Sequence, residues 1–190
     1  HADNQFAGSD SERAADLQKM LDDPSVKAIL CARGGYGVLR IIDRLDFSSL
    51  KKAPKWIIGF SDVTVLHAHV HSLGMETLHG PMLINFPKSP AAANTVRSVL
   101  FGETPAYTVP AHPLNRKGTA EGILTGGNLS LLYALAGSRS DVDTRGKVLF
   151  IEDLDGDGKV MDYTVRDLGV RPDLVKKALA VVVDLAPMSV

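Results

Sequence analysis

One cysteine in 190 residues, Cys31, excludes an internal disulfide, and its place in a predicted buried strand reads as a core position. No apolar run reaches the roughly 18 residues that a membrane-spanning helix needs, and no signal-peptide pattern is visible. Charge of one sign is also lacking: 21 Lys and Arg against 22 Asp and Glu leave a net −1, which gives no electrostatic case for nucleic acid or an anionic membrane. Neither phosphate-loop signature is present, G-x-x-x-x-G-K-[ST] or G-x-G-x-x-G, and no H-E-x-x-H motif joins the six histidines into a metal site. These absences lead to the expectation of a soluble cytoplasmic domain with neither a nucleic-acid nor a membrane partner. At 45% hydrophobic and 23% charged residues, the chain can bury one good core or two small ones.

What is there alternates between strand and helix patterns. Ser9-Asp10-Ser11-Glu12 predicts a capping box that opens a helix to about Leu21, with Asp22-Asp23-Pro24 ending it. A strand over residues 26–32, a helix over 36–44, a strand over 56–59 and a helix over 62–73 follow. The alternation predicts an α/β fold with a parallel Rossmann-like sheet and flanking helices, its ligands bound beyond the C-terminal ends of the strands. Between residues 86 and 118, prolines at 87, 90, 105, 110 and 113 punctuate a helix over 91–100 and a short strand at 107–109, which reads as a connector. Beyond it come a strand over 120–124, a helix start at Gly126-Gly127-Asn128, its apolar body over 129–136, and a strand over 148–153. The expected division is residues 1–85, 86–118 and 119–190, the last being part of a second, mixed α/β or β-rich domain.

Three stretches carry candidate chemistry. In Gly59-Phe60-Ser61-Asp62-Val63 a serine ends an apolar strand where a helix begins, a place that lifts a hydroxyl above the sheet beside converging backbone N–H groups. The esterase turn G-x-S-x-G has its second glycine where this chain has Val63, and a serine here also suits plain helix capping. Arg33-Gly34-Gly35-Tyr36-Gly37 follows the preceding strand; its glycines allow close backbone approach to an anion or a share in an oxyanion hole, or form a simple turn. Ile151-Glu152-Asp153 ends a strand in two carboxylates, which either orient a catalytic histidine or solvate a loop.

Taken in order, Phe6-Ala7-Gly8-Ser9-Asp10, the R-G-G-Y-G loop, Gly59-Phe60-Ser61-Asp62, Leu78-His79-Gly80-Pro81-Met82, Gly126-Gly127-Asn128-Leu129 and Ile151-Glu152-Asp153 resemble the L,D-carboxypeptidase family of serine peptidases, which includes muramoyltetrapeptide carboxypeptidases and microcin C immunity peptidases. The resemblance runs from Phe6 to Asp153. It implies Ser61 as nucleophile, Glu152 as the acid of the triad, and the N–H groups of Asp62 and of Gly34 or Gly35 as oxyanion hole. It also implies a muropeptide substrate in peptidoglycan recycling, no cofactor or metal, and a homodimer. The family's histidine comes from a loop well after the glutamate, a loop that Val190 precedes, and the family's opening strand-helix-strand would lie before His1. This chain is therefore expected to lack both.

The remaining motifs read as structure. His67, His69 and His71 are expected on the surface or half-buried in the helix behind Ser61, and His79 is expected to make a structural hydrogen bond. His1 and His112 fall in probable loops. Asp153-Leu154-Asp155-Gly156-Asp157-Gly158 copies the start of a calcium loop, but its twelfth position is Thr164 in place of glutamate, so a flexible acidic turn is expected. Two functions stay open: a serine carboxypeptidase that releases a terminal D-amino acid, or an inactive domain of the same fold that binds a peptide or anion.

Overall fold

The computed structural model describes residues 2–109, 111, 113, 115–153, 178 and 180–184. Helix α1 (Asp10–Asp22) opens on the predicted capping box, in which the Glu12 N–H donates to Ser9 Oγ and the Ser9 N–H donates to the Glu12 carboxylate at 2.9 Å. Then come strand β1 (Ala28–Leu30), helix α2 (Ser48–Lys52), strand β2 (Trp56–Gly59), helix α3 (Thr64–Ser72) and strand β3 (Leu78–His79). These strands form a parallel sheet in the order β1-β2-β3, with Ile58 opposite Leu78 and Gly59 opposite His79. Ile57 and Ile58 are both buried, as expected of a parallel strand covered on both faces.

Helix α4 (Pro90–Leu100) carries proline in its first turn, where a missing N–H costs nothing. Strand β4 (Leu124–Asn128) leads directly into helix α5 (Leu129–Ala134), followed by β5 (Val148–Glu152) and β6 (Ala180–Asp184). These strands make a second parallel sheet, β4-β5-β6, with Asn128 opposite Glu152 and Glu152 opposite Asp184. Parallel strands with flanking helices bear out the α/β class.

The main core joins Leu21, Leu50, Ile57 and Leu66 to Leu132, Leu135 and Val142, so α5 and the turn after it pack on the first sheet's helices. Each such fully buried aliphatic side chain contributes about 1.5–3 kcal/mol. A smaller cluster of Leu129, Leu149 and Ile151 lies within the second half.

Local departures have tertiary causes. The single helix expected over 36–44 is two 3-10 turns, Val38–Arg40 and Ile42–Arg44, with the N–H groups of Gly37 and Val38 at their start satisfied by the Asp62 carboxylate and with Ile41 and Ile42 both buried. Residues 107–109 form no strand, and no strand among the described residues pairs with them; Tyr107 and Val109 are exposed. The strand placed at 120–124 begins at Leu124, and Gly126-Gly127 belong to it instead of starting a helix. At Gly126 (φ 131°) a side chain would run into the Phe150 carbonyl, so glycine here serves close strand approach. Cys31 lies just past β1, only partly buried.

Candidate active site

Strand β2 ends in Phe60, which is extended, and the chain then reverses through Ser61 at φ 60°. A positive φ at a serine is a strained conformation that the surrounding packing must hold, the geometry of a strand-to-helix nucleophile turn. The missing second glycine is explained by packing across the turn. A Cβ on Gly59 would fall 2.8 Å from Val63 Cγ2, so this one glycine makes room for the valine. No side chain caps the 3-10 turn Ser61–Val63 or α3, so Ser61 does not act as the cap that its position would allow. Ser61 remains partly exposed while Asp62, Val63 and Thr64 are buried.

The glycine loop lies against this turn. A Cβ on Gly34 would sit 3.3 Å from both Cβ and Oγ of Ser61, and 3.4 Å from Met82 Cε. Gly35 has φ 150° and faces open space. The chain after His79-Gly80-Pro81 docks under the loop, since the Leu83 N–H donates to the Cys31 carbonyl and the Ile84 N–H to that of Ala32, both at 3.1 Å. Burial, with the Asp62 carboxylate nearby, pushes the Cys31 thiol up to about 11, so this sulfur is no competing nucleophile.

Glu152 arrives from the other sheet. Its Oε1 lies 3.9 Å from His79 Nε2, and His79 in turn stands beside Gly59 in the first sheet with its ring edge-on to Phe150 at 5.2 Å. Burial and the neighbouring His67 push His79 down to about 4, so Glu152 approaches a neutral ring and not an imidazolium. His79 Nδ1 is buried with no hydrogen-bond partner among the described residues, in place of the structural hydrogen bond expected there.

The helix histidines also depart from expectation. His67 and His69 are buried because α3 runs between the two halves of the molecule, and only His71 is half-buried. His67 Nε2 donates to the Gly59 carbonyl at 2.8 Å, which fixes its tautomer, and burial holds it down at about 4. His69 Nδ1 pairs with Ser140 Oγ, and His71 Nε2 with Lys147 Nζ. Among the described residues no three His, Cys, Asp or Glu side chains gather as a metal site.

Two further couplings have no signal in the local sequence pattern. Thr64 Oγ1 accepts from the Asn128 N–H at 3.0 Å, tying the Ser61 turn to the end of β4. Asp153 accepts from Asn128 Nδ2 at 2.9 Å and from Ser130 Oγ at 2.8 Å, so it buttresses the start of α5. The other residues of the calcium-like motif, 154–158, lie outside the described residues, as do His1, His112 and the segment 154–177.

The LD-carboxypeptidase N-terminal domain matches residues 1–80, and the LD-carboxypeptidase C-terminal domain matches residues 121–184. The chain belongs to the LD-carboxypeptidase family. It is 43% identical over 186 residues to a probable murein peptide carboxypeptidase of Bacillus subtilis, covering 94% of this chain and 58% of that protein. It is 34% identical over 165 residues to the murein tetrapeptide carboxypeptidase of Pseudomonas aeruginosa, covering 78% and 52%. The solved muramoyltetrapeptide carboxypeptidase from Oxalobacter formigenes superimposes with a TM-score of 0.76 at 28% identity, covering 95% of this chain and 62% of that one. The chain thus spans little more than half the length of these LD-carboxypeptidase relatives.

Proposed function

We propose that this chain carries the nucleophile and the acid of a cytoplasmic serine carboxypeptidase, which releases a terminal D-amino acid from peptidoglycan-derived tetrapeptides. The strained Ser61 turn, with Gly34 packed against its hydroxyl, is the observation that carries the reading. Ser61 Oγ attacks the scissile carbonyl and passes its proton to a histidine. The oxygen becomes an anion held by the N–H groups of Asp62 and of Gly34 or Gly35. As the C–N bond breaks, the histidine returns that proton to the departing amine. Water then cleaves the acyl-serine by the same route in reverse. Glu152 orients the imidazole.

The base is assigned to residues beyond Val190. Among the described residues no histidine hydrogen-bonds Ser61: His67 is committed to the Gly59 carbonyl, His69 to Ser140 and His71 to Lys147, which supports this assignment. The same reading includes a division at residues 1–85, 86–118 and 119–190, no cofactor, a homodimer, and a place in peptidoglycan recycling. No helix among the described residues is long and apolar enough to cross a membrane.

The test is Ser61→Ala in a protein that continues through the base-bearing segment, assayed for D-alanine release from tetrapeptide. Release should fall to background while peptide binding persists. Full activity would return Ser61 to a structural role. Binding without release by the unaltered protein would favour the alternative, an inactive peptide- or anion-binding domain.

A further inference from the structure

Asp62 follows Ser61 directly, and only 4% of it is exposed. Its carboxylate does not serve its own helix. Oδ2 accepts from the N–H of Gly37 at 2.8 Å and from that of Val38 at 3.0 Å, both about 25 residues earlier in the chain. Oδ1 is buried with no hydrogen-bond partner among the described residues. A half-satisfied buried carboxylate is an expensive way to cap a turn, and a neutral or exposed residue would cap it at less cost.

Gly37 is held from its other side as well. Its carbonyl accepts from Arg13 Nη1 at 3.0 Å, and a side chain on Gly37 would collide with that guanidinium. Arg13 is braced by Asp10 and lies over the Phe6 ring at 4.9 Å. The downstream end of the glycine loop is therefore gripped at both its donor and its acceptor. Three residues upstream, Gly34 lies so close to the Ser61 side chain that a Cβ on it would sit 3.3 Å from Ser61 Oγ.

We propose that the Asp62 side chain is a positioning residue that assembles the oxyanion pocket: its backbone supplies one N–H, and its carboxylate holds the loop that supplies the other. This rests on Ser61 being the nucleophile. A single residue then sets both the turn and the loop, and the distance between the two donors follows from one buried anchor. The short glycine loop has no strand or helix of its own to fix it, so the register of Gly34 depends on that anchor.

The experiment compares Asp62→Asn and Asp62→Leu with the unaltered protein and with Ser61→Ala, each in the chain that continues through the base. The readouts are kcat, KM and inhibition by a tripeptide aldehyde whose carbonyl replaces the scissile one. Ser61 Oγ adds to that carbon while its proton passes to the base, leaving an oxygen for the pocket to hold. Asparagine fills the same space and keeps an acceptor, but loses the charge that strengthens both hydrogen bonds, so kcat should fall about tenfold. Leucine removes the acceptor, and kcat should fall about 100-fold, the scale of losing one oxyanion donor. Aldehyde inhibition should weaken in proportion, with KM changed by less than about threefold, since ground-state binding does not use the pocket.

Asp62→Asn with unaltered kcat, or with a lower kcat and unaltered aldehyde inhibition, overturns the inference. If Asp62→Leu fails to fold, the asparagine variant decides alone. If Ser61→Ala stays active, the functional reading itself falls, an outcome separate from any result at Asp62.

Discussion

The Ser61 half and the Glu152 half of this molecule share one plan, three parallel strands with a candidate residue at a strand's C-terminal end, yet they fix that residue by different means. Ser61 is held by contacts within its own half: Gly59 yields to Val63, the buried Asp62 anchors the glycine loop, and His67 holds the Gly59 carbonyl. Glu152 is placed by the register of β4, β5 and β6, and meets the first sheet across His79. Helix α5 crosses between them, rising from the second sheet and burying Leu132 and Leu135 in the first half's core. The nucleophile turn is thus held mainly from within its own half, with Thr64 as its tie to β4, whereas the acid depends on how the halves dock.

After the loss of the nucleophile itself, removing the acid gives the largest expected effect. In a protein that continues through the base, Glu152→Gln should lower kcat about 100- to 10,000-fold, as expected when the group orienting a catalytic histidine loses its charge. KM should stay nearly constant. Steady-state D-alanine release is the measurement, and unaltered turnover would leave Glu152 as a strand-end acid only.

Acid should loosen the seam between the halves. His67 and His79 are both held down at about 4 by burial, against an ordinary value of 6.5. The unfolded chain therefore binds protons that the folded chain refuses. Stability is fully present above about pH 6.5 and is lost as pH falls toward about 4. By pH 5 His67 alone should cost roughly 2 kcal/mol. Denaturant melts at pH 7 and pH 5 would show it, and His67→Asn should flatten the dependence.

The direct tie between the halves can be cut at Thr64, which is fully buried. Thr64→Val keeps the shape but leaves the Asn128 N–H without its acceptor, at a cost of about 1–3 kcal/mol. Hydrogen exchange at the Asn128 amide should quicken more than exchange in β1 and β2. Equal acceleration throughout would mean that the halves unfold as one unit. The smallest effect lies at the start of α1: Ser9→Ala removes the capping box and should cost about 1 kcal/mol of stability, read in a denaturant melt.

Legibility followed locality. The capping box at Ser9, strand β2 and the serine turn are short-range patterns, and they appear where the sequence placed them. Residues 36–44 read as one helix because their apolar spacing allows it, but the segment forms two 3-10 turns that bury Ile41 and Ile42 and lean on Asp62, distant in sequence. Gly126-Gly127 read as the start of a helix, while the real demand on them came from Phe150 and Thr64 in other elements. His67 and His69 were expected on the surface or half-buried because helical spacing alone does not tell that α3 is covered on several sides.

By itself, then, the sequence determined the α/β alternation, the strand ends on which Ser61 and Glu152 sit, and the family motifs, because all of these depend on neighbours in the chain. Only the tertiary structure decided which histidines lose their charge, why one glycine suffices at the Ser61 turn, and that Asp62 reaches back to grip the glycine loop. Burial and contacts between distant segments set those properties, and neither is written in any local run of residues.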